Sequence, residues 1–96
     1  MTRKLKFTFR ANIDTIEAYE YYEFRQVNLG ERFLLELDNC CNSIVLNYST
    51  YKNVHTIYRQ AKIKKFPYVI LYSVDDWAII MTAIFNTSRN PDKKFK

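Results

Sequence analysis

The chain is poor in the residues from which most catalytic and metal-binding sites are built. Its 96 residues include one glycine, one histidine and two cysteines. A single glycine excludes a glycine-rich loop that holds a phosphate group through its backbone amides. With His55 as the only imidazole and no Cys/His spacing suited to zinc, we expect no metal site and no cofactor. We interpret His55 as an ordinary histidine at the rim of a strand rather than as a member of a catalytic triad.

The cysteine pattern and the lack of a long apolar run both bear on where the protein works. Cys40 and Cys41 are neighbours in a segment that we predict to be helical, where adjacent side chains point about 100° apart. They cannot form a comfortable disulfide, and two free thiols indicate a reducing cytoplasm. No apolar run reaches the roughly 18 residues of a membrane span, and we expect no signal peptide before the fold.

Positive charge is what the chain has in excess. Fifteen Lys and Arg residues against ten Asp and Glu residues give a net charge of +5. Much of this charge lies in three clusters, at residues 3–6, 59–65 and 89–96. Such a balance favours an acidic partner, which is either nucleic acid or a protein rich in carboxylates. A basic surface that serves only solubility is the alternative.

Length and composition predict one small globular domain. A chain of 96 residues allows a modest core, because it buries only about two-thirds of its unfolded surface. Apolar residues make up 48% of the chain and aromatic residues 17%, which excludes a disordered protein. We expect residues 1–96 to form a single domain, with residues 86–96 as a flexible basic tail.

The first third of the chain predicts a strand and a helix. Residues 4–9 alternate between polar and apolar side chains, which is the period of a strand with one buried face. Asn12 or Asp14 then caps a helix that runs to about residue 26. Ile13, Ile16 and Tyr19 are expected on its buried side, whereas its glutamates are expected to form a solvated face. Gly30, the only glycine, is expected in the following turn, where it allows a positive φ.

The rest of the chain predicts a second helix and three strands. From residue 31, apolar side chains recur at three- and four-residue spacing, which is typical of a helix with a continuous core-facing side. A loop over residues 47–53 precedes strands at 54–64, 67–74 and 78–85, with a tight turn at Asp75 and Asp76. The expected order is β-α-α-β-β-β. This is an α+β fold, in which a helical hairpin packs on a small, mostly antiparallel, four-stranded sheet.

The predicted strand over residues 54–64 carries the middle cluster of positive charge. Alternation along it places Lys62 and Lys64 side by side in solvent and Arg59 and Ile63 on the inner face. An inward arginine needs a carboxylate or a backbone carbonyl as its partner. Arg59 is therefore either a structural clamp or a residue of a functional site.

Five segments, in this order and at these distances, carry a resemblance to a known family. They are residues 16–22 (IEAYEYY), 30–34 (GERFL), 58–59 (YR), 66–72 (FPYVILY) and 83–91 (AIFNTSRNP). Together they resemble the RelE/ParE toxin superfamily of bacterial type II toxin–antitoxin systems, whose fold has the same β-α-α-β-β-β order. The resemblance implies a cytoplasmic, growth-inhibiting toxin of the kind that stabilises plasmids. It also implies a cognate acidic antitoxin that wraps the basic groove in a hetero-oligomer.

The superfamily has two branches, and departures from their patterns bear on the mechanism. RelE-like members enter the ribosome and cut messenger RNA, whereas ParE-like members bind DNA gyrase and poison it. Val69 stands where the RelE-like branch typically has an arginine that acts on the scissile phosphate. Asn86 stands where many members have a histidine, and Phe95 is a loose match to a late tyrosine. These departures favour the ParE-like reading, in which the toxin performs no chemistry of its own.

Two functional hypotheses and one alternative without toxic activity remain. A binding toxin would engage its target or antitoxin through its basic and tail residues, which are Arg59, Lys62, Lys64, Lys65, Asn86, Arg89, Lys93 and Lys94. A metal-independent endoribonuclease would use Arg59, Lys62, Lys64 and Arg89 as its catalytic residues. The alternative without toxic activity is a decayed toxin that still folds and binds its antitoxin.

Overall fold

The computed structural model describes residues 3–88 and contains two helices and five strands. In chain order they are β1 (Lys4–Phe7), α1 (Phe9–Arg25), α2 (Leu29–Asn47), β2 (Asn53–His55), β3 (Tyr58–Lys62), β4 (Tyr68–Val74) and β5 (Ala78–Asn86). The strands form one sheet in the order β1-β5-β4-β3-β2, and the helical hairpin packs on one face of it. The predicted α+β class and helical hairpin are confirmed. Within residues 3–88, neither helix is long and apolar enough to cross a membrane.

The sheet has five strands rather than the predicted four. The strand predicted over residues 54–64 is divided by a turn, in which Thr56 has a φ of 48°. The side-chain amide of Asn53 donates to the carbonyl of Thr56 at 2.9 Å and closes this turn. β2 and β3 pair antiparallel on either side of it, β3 and β5 pair antiparallel with the central β4, and β1 pairs parallel with β5.

The first helix begins earlier than the sequence predicted. Thr8 is its N-cap, and its hydroxyl oxygen accepts a hydrogen bond from the amide of Ala11 at 3.0 Å. Neither Asn12 nor Asp14 caps the helix, and β1 ends at Phe7. The polar–apolar alternation continues through Phe9, so the sequence pattern assigned Thr8 to the strand. Threonine is nevertheless one of the preferred N-cap residues.

Asp14 has a different task, because it completes the edge of the sheet. β1 pairs with β5 only as far as Met81, so the edge of β5 beyond that residue lacks a neighbouring strand. The Asp14 carboxylate accepts a hydrogen bond from the amide of Ile84 at 2.9 Å. Burial raises the pKa of Asp14 above its ordinary value, and the bond from Ile84 and the nearby Arg10 only partly oppose this. A carboxylate thus takes the place of a longer β1 at this position.

The core forms between the helices and the sheet, and α1 contributes two alanines and the partly buried ring of Tyr22, which contacts Phe33. The predicted apolar face of α2 is confirmed, and its buried side chains include Phe33, Leu37, Cys40, Cys41 and Ile44. The buried residues of α1 are Ala11 and Ala18. Ile13 and Ile16 are exposed, so the prediction that they face the core is wrong. Apolar residues surround α1 on most sides, and periodicity alone could not select the side that packs.

Gly30 lies inside α2, where it allows the two helices to approach closely. The positive φ of the connection belongs to Asn28, at 72°, and not to Gly30 as predicted. A Cβ atom on Gly30 would lie 2.7 Å from the carbonyl oxygen of Tyr19 in α1. Glu23 strengthens the same junction, because its carboxylate accepts from the amides of Asn28 at 2.9 Å and Gly30 at 3.0 Å. These are amides at the N-terminus of α2 that the helix itself leaves without partners.

Replacing Gly30 with alanine should destabilise the hairpin although alanine is the better helix former. The new methyl group would meet backbone and ring atoms of Tyr19, so we expect a loss of about 1–3 kcal/mol in the free energy of unfolding. Asn28→Gly is the matched control, since glycine adopts a positive φ without strain, and it should be neutral within about 0.5 kcal/mol. Urea denaturation measures both. A Gly30→Ala protein as stable as the wild type would show that the helices need no such contact.

Two variants of Asp14 should separate its hydrogen bond from its charge. Asp14→Ala leaves the amide of Ile84 without its acceptor and should cost about 1–3 kcal/mol. Asp14→Asn keeps an acceptor oxygen. A pKa raised on folding means that the wild type loses stability as the pH rises from the ordinary 3.8 through the raised value. The stability of wild type relative to Asp14→Asn should therefore fall as the pH rises from 3.8 through the raised pKa. A difference that stays constant over this range in thermal unfolding would contradict it.

Candidate binding site

Two of the basic residues singled out in the sequence, Lys62 and Lys64, line one groove between α2 and the edge of the sheet. The groove has a volume of about 230 Å³ and is called the basic groove below. Its lining residues are Glu36, Asn39, Cys40 and Ser43 of α2, Tyr51 of the loop before β2, and Lys62 and Lys64.

Lys62 and Lys64 meet at this groove, but not in the way that strand alternation predicted. β3 ends at Lys62, and Lys64 lies in the turn that leads to β4. The ammonium group of Lys62 donates to the carbonyls of Ile63 at 3.4 Å and Phe66 at 3.3 Å, which steadies this turn. Ile63 is fully buried, as predicted, so it anchors the segment between the two exposed lysines.

Arg59 and Lys65 frame the basic groove through contacts with its walls. The guanidinium of Arg59 donates to the carbonyl of Tyr51 at 2.6 Å, which is one of the two kinds of partner expected for it. The ammonium of Lys65 lies 3.7 Å from the carboxylate of Glu36. Glu36 is the one carboxylate among the lining residues. Within residues 3–88 no carboxylate lies within ion-pair distance of Lys62 or Lys64, so their charge is available to a ligand.

The groove also contains part of an open strand edge. The amide of Ile63 donates to the carbonyl of Tyr68 at 3.0 Å, so alternate residues of β3 turn their backbone groups away from β4. Gln60 turns outward and donates to Lys52 at 3.1 Å. Lys62 turns outward too, and its carbonyl accepts only the weak bond from the Cys40 thiol at 3.5 Å. Its amide has no acceptor in the described part of the chain, so an extended peptide could bond to it.

The buried thiols and the buried tyrosine hydroxyl near the groove are poor acids near neutral pH. Burial raises the pKa of Cys40 to about 11 and that of Cys41 to about 12, so neither thiol is a nucleophile. Burial also raises the pKa of Tyr72 to about 12, and its hydroxyl donates to the carbonyl of Tyr48 at 2.7 Å. His55 pairs with Tyr58 at the far end of the β2–β3 hairpin, about 13 Å along the strand from Lys62. Besides Cys40 and the two lysines, the ionisable groups of the groove lining are the Glu36 carboxylate, which is paired with Lys65, and the Tyr51 hydroxyl.

Asn86 lies in a second cavity rather than at the basic groove. Its volume is about 400 Å³, and its lining residues are Asp14, Glu17, Ala18 and Tyr21 of α1 with Tyr68, Ile84, Phe85 and Asn86 of the sheet. Asn86 is the last residue of β5, so the predicted tail does not begin there. Its carboxamide oxygen accepts bonds from the amide and hydroxyl of Ser88 at 2.9 and 2.7 Å. The predicted site residues Arg89, Lys93 and Lys94 lie outside the described residues.

The residues that α2 and the loop before β2 contribute to the groove were not predicted as site residues from the sequence. Glu36, Asn39 and Ser43 form a polar stripe along α2 at a spacing of three and four residues, beside its core face. This spacing is a detectable signal, but it does not show which strand the stripe will face. Tyr51 lies in a segment that shows no periodicity. It binds Arg59 through its backbone carbonyl, and because every residue has such a carbonyl, the sequence carries no signal for this contact.

Comparisons with known proteins agree with this architecture. The sequence model of one family, described as the ParE toxin of the type II toxin–antitoxin system parDE, matches residues 5–91. No curated protein sequence matches the chain. A solved structure of the chromosomal ParDE toxin–antitoxin system from P. aeruginosa is similar, with a TM-score of 0.67, 18% identity, and coverage of 88% of this chain and 96% of that one.

Two further solved structures share the fold. One is the DinJ–YafQ toxin–antitoxin complex from E. coli, with a TM-score of 0.63, 11% identity, and coverage of 92% of this chain and 96% of that one. The other is YafQ from E. coli strain BL21(DE3), with a TM-score of 0.62, 10% identity, and coverage of 90% and 94%. At these identities the likeness concerns the fold.

Proposed function

The chain belongs to the ParE toxin family of type II toxin–antitoxin systems, and we propose that it inhibits growth by binding a macromolecular target in the cytoplasm. The resemblance to ParE favours DNA gyrase as that target. In this proposal a cognate antitoxin covers the basic groove and silences the toxin in a hetero-oligomer. The observation that carries the proposal is that, among the described residues, Lys62 and Lys64 have no carboxylate within ion-pair distance, whereas Glu36, the one carboxylate of the groove lining, is paired with Lys65.

The position of Val69 supports binding over RNA cleavage. Val69 stands opposite Lys62 in the sheet register, opposite Phe85 on the other side, and is 4% exposed. In the RelE-like branch an arginine at this position would reach the scissile phosphate. A buried valine offers a phosphate neither charge nor a hydrogen bond, and cleavage needs groups that move protons as well as groups that stabilise charge.

The geometry of the basic groove suits an acidic, extended segment of the antitoxin. The outward amide of Lys62 can pair with a backbone carbonyl of such a segment, as in the addition of a strand to a sheet edge. Carboxylates on the same segment would meet Lys62 and Lys64, which lie on one rim of the groove. Because these lysines are exposed, the attraction should weaken as the salt concentration rises.

A ribosome-dependent endoribonuclease is the second candidate, and one observation favours it. The ammonium groups of Lys62 and Lys64 line a single groove, and neither has a carboxylate within ion-pair distance among the described residues. Such a cluster can stabilise the charge that develops on a phosphate during cleavage, and this effect can be large without any metal ion.

Two assays on the same proteins should distinguish these candidates. We expect the wild type to inhibit DNA supercoiling by purified gyrase and to leave ribosome-bound messenger RNA intact in primer extension. Lys62→Ala/Lys64→Ala should weaken gyrase inhibition by about tenfold, equivalent to about 1.4 kcal/mol. Lys4→Ala/Lys6→Ala is the control, because it removes the same charge from exposed residues of β1, away from the groove, and it should behave as the wild type.

Other outcomes have definite meanings. Ribosome-dependent breaks that vanish in Lys62→Ala/Lys64→Ala would establish the endoribonuclease instead. Full gyrase inhibition by that double variant would remove the basic groove from the mechanism. A protein that folds by circular dichroism yet affects neither gyrase, messenger RNA nor growth would be a decayed toxin.

A further inference from the structure

The only tryptophan of the chain lies in the turn between β4 and β5, where its ring faces solvent. Trp77 is 80% exposed, yet both of its backbone polar groups are held. Its amide donates to the carboxylate of Asp75 at 2.8 Å, and its carbonyl accepts from the amide of Lys4 at 3.0 Å. The guanidinium of Arg3 donates to the carbonyl of Asp75 at 2.6 Å and ties the same turn to β1. A large ring on a fixed turn loses little conformational entropy on binding, which is typical of an interface anchor.

A cavity of about 250 Å³ opens at the same end of the sheet and is called the end cavity below. Its lining residues are Tyr48 and Ser49 after α2, Asn53, Ile57 and Arg59 of the β2–β3 hairpin, and Val74 of β4. β4 ends at Val74, and Trp77 follows three residues later in the chain. The hydroxyl of Tyr72 donates to the carbonyl of Tyr48 at 2.7 Å, which fixes the end of α2 beside this part of the sheet. The end cavity and Trp77 therefore lie side by side on one end of the protein.

The lining of the end cavity suits an indole ring. Tyr48, Ile57 and Val74 supply apolar surface, and Arg59 supplies a guanidinium. A cation attracts the face of an aromatic ring, and tryptophan is the best partner among the protein side chains. A cavity of about 150 Å³ holds a benzene ring, so the end cavity has room for the larger indole. The Trp77 ring does not fill the cavity of its own chain, because it is exposed and is not among the lining residues.

We propose that two copies of the chain associate about a two-fold axis, and that each copy inserts Trp77 into the end cavity of the other. A two-fold contact needs a surface that complements itself, and a projecting ring beside a cavity of matching chemistry meets this requirement. Two inserted tryptophans and the surfaces around them bury on the order of 1,000 Å² in total, which is near the lower limit for a specific interface. We therefore expect a dimer of micromolar affinity.

The charges at this end of the protein also complement a second copy. Asp76, next to Trp77, is exposed, and no cation of residues 3–88 lies within ion-pair distance of it. Lys52, next to Asn53 of the cavity lining, is exposed as well, and no described carboxylate lies within ion-pair distance of it. Insertion of Trp77 brings Asp76 of one copy to the rim on which Lys52 of the other copy lies. The two-fold axis forms this pair twice, and such rim pairs set the orientation of the copies more than the affinity.

Nucleic acid and an anionic membrane are poorer occupants of this end. Either would place phosphate groups beside Trp77, where Asp75 and Asp76 precede it in the turn. Hydrogen bonds from the amides of Trp77 and Ala78 hold the pKa of Asp75 below its ordinary value, so this carboxylate keeps its charge. Like charges at a contact are unfavourable, which leaves a protein surface with both signs of charge as the better match.

The proposed dimer leaves both basic grooves open. Lys62 follows Arg59 by three residues, which is about 10 Å along β3 and away from the end cavity. A dimer would therefore present two basic grooves, one on each copy. The inference goes beyond the proposed function and does not rest on it, since neither a target nor an antitoxin takes part in the contact.

Sedimentation equilibrium of the full-length protein tests the association. Over concentrations from about 1 to about 500 μM we expect a monomer–dimer equilibrium with a Kd of about 1–100 μM. Trp77→Ser should weaken the dimer by at least about tenfold. Phe24→Ser is the matched control, because it removes a similarly exposed aromatic ring from α1, and it should leave the equilibrium unchanged.

Intrinsic fluorescence reports directly on the proposed contact, since Trp77 is the only tryptophan. As the concentration rises through the Kd, its emission should move to shorter wavelength and its quenching by acrylamide should fall. Ser49→Tyr places a ring of the same chain in the end cavity and should abolish both changes, and Ser49 is exposed, so the core is untouched. A mixture of Trp77→Ser and Ser49→Tyr should associate more strongly than either variant alone, because one of the two insertions is restored.

Three results would overturn the proposal. The first is a wild type that remains monomeric at about 500 μM with unchanged quenching, since the end cavity would then not take a second copy at this affinity. The second is a dimer that persists in Trp77→Ser or disappears in Phe24→Ser, which would place the contact elsewhere. The third is a mixture of Trp77→Ser and Ser49→Tyr that gains nothing over the separate variants, which would exclude reciprocal insertion. None of these measurements involves gyrase, messenger RNA or an antitoxin, so a failure here is distinct from a failure of the proposed function.

Discussion

The close contact between the two helices determines which surfaces this protein can offer to partners. Gly30 sits against the backbone and ring of Tyr19, and Glu23 holds the first amides of α2 from the end of α1. This junction fixes the rotation of each helix relative to the sheet. α2 then presents its apolar side to the core and its polar stripe to β3. α1 packs through its alanines and the ring of Tyr22 and leaves Ile13, Ile16 and Phe24 exposed.

The edges of the sheet show how the remaining backbone groups are satisfied. On the β5 side, Asp14 accepts the amide of Ile84 where β1 has already ended. On the β3 side, β2 is only three residues long, and the amide of Lys62 is left facing the basic groove. The fold closes one edge with a side chain and leaves part of the other open. The open part coincides with the unneutralised lysines, which is why we regard it as a binding site rather than as an unprotected edge.

Sequence reasoning recovered the architecture because the core elements have clear periods. The apolar spacing of α2 and the apolar run of β4 each identify an element without knowledge of its neighbours. The predictions of element boundaries and of the buried side of α1 were wrong where the local sequence pattern is compatible with two structures. Thr8 fits both a continuing strand and a helix cap, Thr56 adopts a positive φ that its residue type rarely has, and α1 has apolar residues on most of its circumference.

The functional surfaces were harder to predict than the fold, for a related reason. Lys62, Lys64 and Arg59 stood out by charge, but their partners are backbone carbonyls and residues of another element. The exposure of Ile13 and Ile16 in α1 was not predicted, since isoleucines in a helix usually face a core. Only the packing of Ala11 and Ala18 shows that they do not.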